Sequence, residues 1–460
     1  MLQWDLLAGP FPIVLMVLAV IAGGYLLARR GWRAWWQIVV PAVAVGSIGA
    51  ALLIDWFVND VWQAFTDPLP GAVVAWFAVM LAAVALLVVT LVKADWRRRT
   101  LAVLATLVIV ATSLNGINQY YGYFPTTAEA LGQTPGGQIQ LPPLESGQPG
   151  DPTGPIDSAP TVTSGAPSGP QSQRARLHEN LRDWRPTGPM PSAGAVSEVT
   201  MPATVSHFAA RPGWVYVPPA YLTHPRPSLP LLMLIPGEFG NPNNWIEAGH
   251  LATTMDAFAV RHHGLAPIVL MPDANGSLTG NQMCVDSHLG NVDTYLSVDV
   301  INWARTHLQV DPNTAHWAVG GFSYGGTCAL ELAVRHPRLF PTFLDISGQN
   351  RPTLGSETRT AELAFGGDLA AYRAWEPLRI MAAGLRRPAT ADTWRRADGT
   401  FVVGRDDVKY GRQRAEVVRG CRRAGMRVHE FDVPGSHSWY VAALALTTAT
   451  PHLAARMGLG

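Results

Sequence analysis

Residues 318–337 read AVGGFSYGGTCALELAVRHP, a serine set among glycines after an apolar run and before an amphipathic one. Each glycine costs a helix interior roughly 1 kcal/mol relative to alanine, so these glycines do not serve helix stability. Residues 321–325 form Gly-x-Ser-x-Gly, and a strand, a sharp turn and a helix around them would make a nucleophile elbow. The pattern predicts that Ser323 stands at a helix amino terminus, where free N–H groups favour negative charge. The alternative is an ordinary glycine-rich packing turn.

The rest of the C-terminal half has the pattern of an α/β domain. Short β-rich runs alternate with amphipathic helices, and the runs cover residues 213–219, 229–237, 266–273, 316–323, 341–348, 399–404 and 427–435. Continuously apolar strands separated by helices indicate a parallel sheet covered on both faces. We predict one α/β domain over residues 195–460, which is long enough to bury a substantial core.

A serine hydroxyl needs a base and an orienting acid before it becomes a good nucleophile. His437 follows the last β-rich run and precedes a terminal helix, and the base that serves a nucleophile elbow is expected in such a loop. Asp406 and Asp407 follow the preceding run, giving the chain order serine, acid, histidine. Adjacent side chains point in different directions, so only one of the two can be the acid. We expect Asp407 and keep Asp406 as the alternative. A lone histidine is more often structural, and this position is what favours a catalytic one.

An oxyanion hole in this arrangement needs two backbone N–H groups. The first would come from Tyr324, directly after the serine. The second would come from Glu238 or Phe239, in the loop after the run at 229–237. A glutamate carboxylate beside developing negative charge is unfavourable unless its side chain points outward.

From about residue 196 onward the sequence resembles the putative esterase family, which includes esterase D, feruloyl esterase domains and secreted mycolyltransferases. The likeness rests on LLMLIPGEFGNPNNW, DTYLSVDVINWARTHL, GGFSYGGTCALELAVRHP, AFGGDLAAYRAWEP, GRDD and PGSHSWYVAAL, in that order. It implies an α/β-hydrolase fold with Ser323, Asp407 and His437 as the triad and Glu238 and Tyr324 as amide donors. The segment IPGEFG departs from the His-Gly or Asp-Gly of many relatives. No metal, nucleotide or other cofactor is implied.

The N-terminal quarter is different in composition. Charged residues are only 15% of the whole chain and hydrophobic ones 48%, and four uncharged stretches cover residues 11–28, 35–54, 71–92 and 101–117. Each is close to the roughly 20 residues that cross a bilayer core. We predict an all-α membrane domain of four transmembrane helices over residues 1–123. The alternatives are buried core helices or, for the first stretch, a signal peptide.

Charges in the connecting loops predict the orientation of this bundle. Basic residues lie between the first and second stretches and between the third and fourth, at Arg29, Arg30, Arg33, Lys93, Arg97, Arg98 and Arg99. The loop between the second and third stretches carries only acidic residues, at Asp55, Asp60 and Asp67. Basic loops stay cytoplasmic, so the C-terminal domain is expected outside the cytoplasm. The stretches hold no ionisable group, which argues for a multi-pass membrane anchor and against a transporter.

Residues 124–194 are rich in proline, glycine and serine, and we predict a disordered linker there. Outside the cytoplasm, Cys284 in a loop and Cys328 near the start of the nucleophile's helix would pair as a disulfide; the alternative is two independent buried thiols. Cys421 is expected to be a packed core residue.

We predict a membrane-anchored extracytoplasmic serine esterase that acts on a lipid or other acyl ester of the cell envelope. The alternatives are an acyltransferase that moves the acyl group to an envelope sugar, and a non-catalytic module that binds the envelope. A net charge of +1, without a basic run in the C-terminal half, argues against nucleic acid as a partner. The sequence indicates no particular protein partner and no oligomeric state.

Overall fold

The computed structural model describes residues 4–28, 33–62, 68–93, 95–131, 138–142, 181 and 183–460. The chain divides into two compact units, one built mainly from the residues up to Thr134 and the other mainly from those after it. Two of the predicted cytoplasmic arginines, Arg29 and Arg30, lie outside the described residues, as does Asp67. The same holds for 132–137, 143–180 and 182 of the predicted linker.

Long apolar helices make up the first unit. They are α1 (Pro10–Leu27), α2 (Val40–Trp56), α3 (Gly71–Lys93) and α4 (Trp96–Tyr121). Turns of π-helix at Trp35–Val39 and Phe57–Val61 extend α2 at both ends. Among the described residues, four helices are long and apolar enough to cross a membrane, and they coincide with the four predicted stretches.

The outer surfaces of these helices are apolar, and close approaches between them use small residues. In the most hydrophobic 18-residue segment of each of the first two apolar helices, only 11% of the residues are buried. Most of their apolar side chains therefore face outward. Lipid can solvate such surfaces and water cannot. A side chain at Gly116 of α4 would overlap the indole of Trp76 on α3, so glycine is required for that contact. The helices of this unit are therefore suited to association with a membrane.

Several parts of the predicted linker have a described structure. Thr127–Ala130 forms a short helix, α5, that begins with a capping box between Thr126 and Glu129. Further along, Gln138 pairs with Val196 as an isolated bridge. The capping box satisfies two N–H groups that would otherwise lack partners, which explains why a helical turn forms there.

The second unit is built on an eight-stranded sheet. Its strands are β1 (Ala195–Val199), β2 (Gly213–Val217), β3 (Leu231–Ile235), β4 (Ile268–Met271), β7 (Ala318–Phe322), β8 (Thr342–Ile346), β9 (Asp398–Gly404) and β10 (Arg427–Val433). The order across the sheet is β1-β2-β4-β3-β7-β8-β9-β10. Strands β5 (Asp286–Ser287) and β6 (Gly290–Asn291) form a separate hairpin.

All seven predicted strands are present. The predicted parallel pairing is found between the neighbouring strands β4, β3, β7, β8, β9 and β10. The sequence missed β1, whose polar Ser197 and Glu198 interrupt its apolar pattern. Strand β2 is antiparallel to both of its neighbours, β1 and β4. This antiparallel edge was not predicted, because apolar runs do not reveal strand direction.

Helices pack on both faces of this sheet. They are α6 (Asn244–Glu247), α7 (Leu251–Arg261), α8 (Val292–Thr294), α9 (Val300–His307), α10 (Tyr324–Arg335), α11 (Glu357–Phe365), α12 (Leu369–Arg373), α13 (Pro377–Gly384), α14 (Pro388–Trp394), α15 (Val408–Arg423) and α16 (Trp439–Arg456). A π-helical turn, Tyr295–Asp299, joins α8 to α9, and 3-10 turns occur at Pro219–Leu222 and Thr314–His316.

Every residue of the central strands β3, β7 and β8 is buried, as expected for strands covered on both faces. Strands β7, β9 and β10 are parallel and end at Phe322, Gly404 and Val433. Their carboxyl ends lie along the same edge of the sheet. The loops that follow them carry Ser323, Asp407 and His437.

Candidate active site

Ser323 occupies the turn between β7 and α10, with φ of 56° and ψ of −116°. This backbone conformation is strained for a residue with a side chain, and such strain concentrates at functional sites. The Ser323 N–H donates to the carbonyl of Ile346 at 2.8 Å, which ties the turn to the end of β8. The turn therefore presents the hydroxyl at the amino terminus of α10.

The two glycines of the Gly-x-Ser-x-Gly pattern have separate steric reasons. A side chain on Gly321 would overlap the carbonyl group of Gly325 across the turn. A side chain on Gly325 would overlap the carbonyl oxygen of Ile235 at the end of β3. The pattern is thus required by close backbone packing around Ser323, as the sequence predicts for a nucleophile elbow.

His437 lies between the other two predicted triad residues. Its Nε2 is 2.7 Å from Ser323 Oγ, and its Nδ1 is 2.8 Å from Asp407 Oδ2. An ionised carboxylate only accepts, so Nδ1 carries the proton and Nε2 is left to accept from the serine hydroxyl. The three side chains form a continuous hydrogen-bonded chain.

The loops after β9 and β10 hold Asp407 and His437 together. The Arg405 N–H donates to the Val433 carbonyl at 2.8 Å, and the Asp406 N–H donates to that of Gly435 at 3.0 Å. Gly404 packs so closely on this loop that a side chain there would overlap the Gly435 carbonyl oxygen. These contacts set the Asp407–His437 distance.

The two adjacent aspartates differ in environment. The Asp407 side chain is 5% exposed, caps the amino terminus of α15 and accepts from the Tyr410 N–H at 3.3 Å. Asp406 is exposed to solvent. Of the two candidates, Asp407 is the one in contact with His437.

The predicted amide donors lie beside the serine. Tyr324 is the first residue of α10. A Cβ atom placed on Gly237 would lie 3.7 Å from Ser323 Cβ. Glu238 is therefore next to the elbow, partly exposed, and its neighbour Phe239 has a left-handed φ of 64°. Which of Glu238 and Phe239 would donate the second N–H stays a prediction.

Arg211 fixes the loop that holds these residues, and sequence reasoning missed it. Its guanidinium makes a bidentate pair with Asp273, at 3.0 and 2.7 Å, and donates to the carbonyl of Gly240 at 2.9 Å. It also contacts Asn241 Oδ1. Asp273 is fully buried, so this charge pair anchors the loop to the carboxyl end of β4. An arginine in the loop between β1 and β2 carries no sequence signal for this role.

A disulfide joins Cys284 to Cys328 on α10, with Cα atoms 5.4 Å apart. Beside it, the Cys284 N–H donates to the Tyr324 hydroxyl at 3.2 Å, and that hydroxyl donates to the Ala274 carbonyl at 2.9 Å. Burial raises the pKa of Tyr324 well above its ordinary value, so the hydroxyl stays protonated. Loop 272–284 is thus attached to α10, the helix that follows Ser323. Cys421 is buried and unbonded.

The described residues include one group with the composition of a metal site. Asp398, His429 and His452 have ligand atoms within 4.8 Å of one another, at the amino end of β9, opposite the edge that carries Ser323. The guanidinium groups of Arg427 and Arg456 lie 3.1 and 3.2 Å from Asp398 Oδ2. Their positive charge opposes a bound cation, and the cluster is explained as an ion-pair network.

Comparisons with known proteins identify a matching family and several similar chains. A family model described as "Putative esterase" matches residues 210–452. An uncharacterized protein of Corynebacterium glutamicum is 31% identical over 441 residues, 96% of this chain and 93% of its own. A solved ferulic acid esterase is 18% identical with a TM-score of 0.49, covering 57% of this chain and 99% of its own. An S-formylglutathione hydrolase from Agrobacterium tumefaciens is 18% identical with a TM-score of 0.46, covering 60% and 100%.

Proposed function

Because the chain belongs to the "Putative esterase" family and is a serine hydrolase of the carboxylic ester class, we propose that it cleaves acyl esters of the cell envelope with Ser323, His437 and Asp407 as its catalytic triad. The observation that carries this proposal is the hydrogen-bonded chain from Ser323 through His437 to Asp407. Serine nucleophiles are activated by such a base and orienting carboxylate.

In the proposed mechanism, His437 Nε2 takes the proton of Ser323 while Oγ forms a bond to the ester carbonyl carbon. The carbonyl π electrons move to the oxygen and return when the alcohol leaves with the proton from Nε2. Water then repeats the sequence on the acyl-enzyme and releases the acid. Asp407 stays ionised and stabilises the imidazolium.

The negative charge on the carbonyl oxygen needs preorganised donors. We assign the N–H of Tyr324 and that of Glu238 to this role. Tyr324 begins α10, whose amino-terminal dipole favours negative charge at Ser323. The partly exposed position of Glu238 lets its carboxylate remain in solvent while its N–H faces the reacting carbonyl.

Two independent features support an extracytoplasmic active site. Disulfides persist in oxidising compartments, and Cys284–Cys328 is one. The described basic residues Arg33 and Arg97 lie at helix ends that the charge rule assigns to the cytoplasm, opposite to Asp60. An active site held outside the membrane would meet acyl esters of envelope lipids or glycolipids.

Hydrolysis is favoured over acyl transfer because solvent reaches the site. The His437 side chain is 24% exposed and Ser323 is partly exposed, so water has access to the acyl-enzyme. Transfer to a sugar would require that the acceptor exclude this water. Incubation of the full-length protein with envelope lipid extract decides between them, since hydrolysis releases free acid and transfer produces a new ester.

The triad is tested by labelling with a fluorophosphonate probe, which reacts only with an activated serine. The full-length protein in detergent should be labelled, Ser323→Ala should not, and Ser277→Ala, at an exposed loop serine, should react like wild type. Labelling of Ser323→Ala would show that another residue is the nucleophile. A wild-type protein that never reacts would favour the non-catalytic binding module.

The side of the membrane is tested separately with Ser277→Cys. A membrane-impermeant maleimide added to intact cells should label this variant, while the wild type, whose unbonded Cys421 is buried, should stay unlabelled. Labelling that appears only after lysis would place the site in the cytoplasm.

A further inference from the structure

Tyr410 touches all three residues of the proposed triad. Its ring stacks on the His437 imidazole with centroids 4.2 Å apart and planes 23° apart. Its backbone N–H donates to Asp407 Oδ1 at 3.3 Å. Its buried hydroxyl hydrogen-bonds the side chains of Ser323 and Gln349. Neither the Gly-x-Ser-x-Gly pattern nor the position of His437 in the sequence predicts these contacts.

We propose that Tyr410 is a further catalytic residue, whose hydroxyl donates a hydrogen bond to Ser323 Oγ and stabilises the negative charge that develops on that atom. The inference rests on the proposed function, because it takes Ser323 to be the nucleophile. It adds a donor for the attacking oxygen, distinct from the two amides assigned to the carbonyl oxygen.

The direction of this hydrogen bond follows from counting donors. Asp407 accepts from His437 Nδ1–H, so Nε2 must accept the Ser323 proton. Ser323 Oγ then has no proton left for a second partner and accepts from the Tyr410 O–H. The Gln349 amide, in turn, donates to the Tyr410 oxygen. One chain of donors therefore runs from Gln349 through Tyr410 and Ser323 to His437.

The environment keeps the Tyr410 hydroxyl protonated. Burial raises the pKa of Tyr410 well above its ordinary value, and the negative charges of Asp407 and Glu238 raise it further. Lys409 is the neighbouring cation, with Nζ 5.5 Å from the ring centroid. Tyr410 is thus a neutral donor over the whole working pH range, and its proton stays on the phenol throughout the reaction.

Ser323 Oγ carries developing negative charge twice in each turnover. In acylation its O–H bond breaks as the proton moves to His437, before the bond to the carbonyl carbon is complete. In deacylation the bond between Oγ and the acyl carbon breaks, and Oγ leaves with the electron pair until His437 returns the proton. A hydrogen bond from Tyr410 strengthens as this charge appears, so it stabilises both transition states relative to the neutral ground states.

The position of Tyr410 is fixed by the same turn that fixes Asp407. Asp407 caps α15, and the N3 position of a capped helix, three residues later, faces the cap. Phe322 contacts the imidazole as well, with ring centroids 4.9 Å apart. Two aromatic rings therefore restrict rotation of His437, and the Tyr410 ring keeps this role when its hydroxyl is removed.

Tyr410→Phe in the full-length protein separates the hydroxyl from the ring. A hydrogen bond to a charged group corresponds to about 10- to 100-fold in rate, so kcat/KM for a p-nitrophenyl ester should fall by about that factor, in kcat and not in KM. Single-turnover decay of the acyl-enzyme should slow by a similar factor. Tyr372→Phe, which loses a buried hydroxyl bonded to the Pro352 carbonyl, should keep wild-type kcat and controls for general loss of packing.

Gln349→Met provides a second variant that leaves Tyr410 intact. It should lower kcat about threefold, and this effect should vanish in the Tyr410→Phe background because Gln349 acts through the tyrosine oxygen. Wild-type kcat in folded Tyr410→Phe, or full additivity of the two substitutions, would overturn the proposal. If Ser323→Ala also keeps esterase activity, the proposed function itself fails; if only Tyr410→Phe is silent, the role of Tyr410 alone fails.

Discussion

Substitution of the two adjacent aspartates one at a time tests the acid of the triad. Asp407→Asn keeps the shape of the side chain and an oxygen that can cap α15. It replaces the acceptor facing His437 Nδ1 with an amide, so the tautomer that leaves Nε2 free for Ser323 is lost. Asp406→Asn makes the same chemical change on an exposed neighbour and serves as the matched control.

The structure sets the expected size of the effect. The Nδ1–Oδ2 bond is short and its carboxylate is 5% exposed, so little solvent screens its interaction with the imidazolium. Loss of such a carboxylate lowers kcat by about 10³- to 10⁴-fold, or about 4 to 5.5 kcal/mol of transition-state stabilisation. For Asp406→Asn we expect a change within about threefold, because surface substitutions stay near 0.5 kcal/mol.

The assay is steady-state hydrolysis of a short p-nitrophenyl ester by the full-length protein in detergent, with thermal melting to verify folding. Asp407→Asn should melt within a few degrees of wild type, since the cap is kept. A large loss in Asp406→Asn with near-normal activity in Asp407→Asn would refute the assignment and show that the loop rearranges when substrate binds.

Three further outcomes follow from other contacts. Arg211→Lys should lower kcat about tenfold and reduce thermal stability, because one ammonium cannot bridge Asp273 and the Gly240 carbonyl together; unchanged kinetics would show that the 237–241 loop needs no such anchor. Burial raises the pKa of Asp345 to about 7, so stability present below about pH 4 is lost as pH rises through 7, by at most about 4 kcal/mol. Melting temperatures at pH 4.5 and 8 should therefore converge in Asp345→Asn, and an unchanged difference would exclude this carboxyl as the source. Replacing Cys284 and Cys328 by serine opens a loop with a sequence separation of 44 and should lower the free energy of unfolding by about 4 kcal/mol. The melting temperature should fall accordingly; reductant should lower it in the wild type and leave the double variant unchanged.

Local pattern was enough to predict the framework of the site. The glycines around Ser323 and the apolar runs of the strands are short-range signals, and the helices, the seven strands and the elbow appear where they indicate. Sequence reasoning favoured Asp407 over Asp406 but identified no contact that separates the two. The distinction depends on the cap of α15 and on hydrogen bonds to the loop of Gly435, which spacing does not encode.

Contacts between distant segments explain what sequence reasoning missed. Arg211 is 62 residues from its partner Asp273, and Tyr410 meets Ser323 across the sheet edge. An arginine after β1 or a tyrosine in a helix has many ordinary roles, so neither pattern singles these residues out. The envelope substrate, the membrane side and the amide donors stay predictions, because they depend on molecules and surfaces beyond the fold.

The hydrogen bonds between the loops after β9 and β10 affect which parts of the site can change in sequence. The backbone N–H groups of Arg405 and Asp406 donate to the carbonyls of Val433 and Gly435, so the loops that carry Asp407 and His437 are hydrogen-bonded to each other. The loop at 272–284 follows a different strand, β4, and is held instead by the disulfide between Cys284 and Cys328. Substitutions in that loop can therefore change the surroundings of Ser323 while the hydrogen bond between Asp407 and His437 is kept.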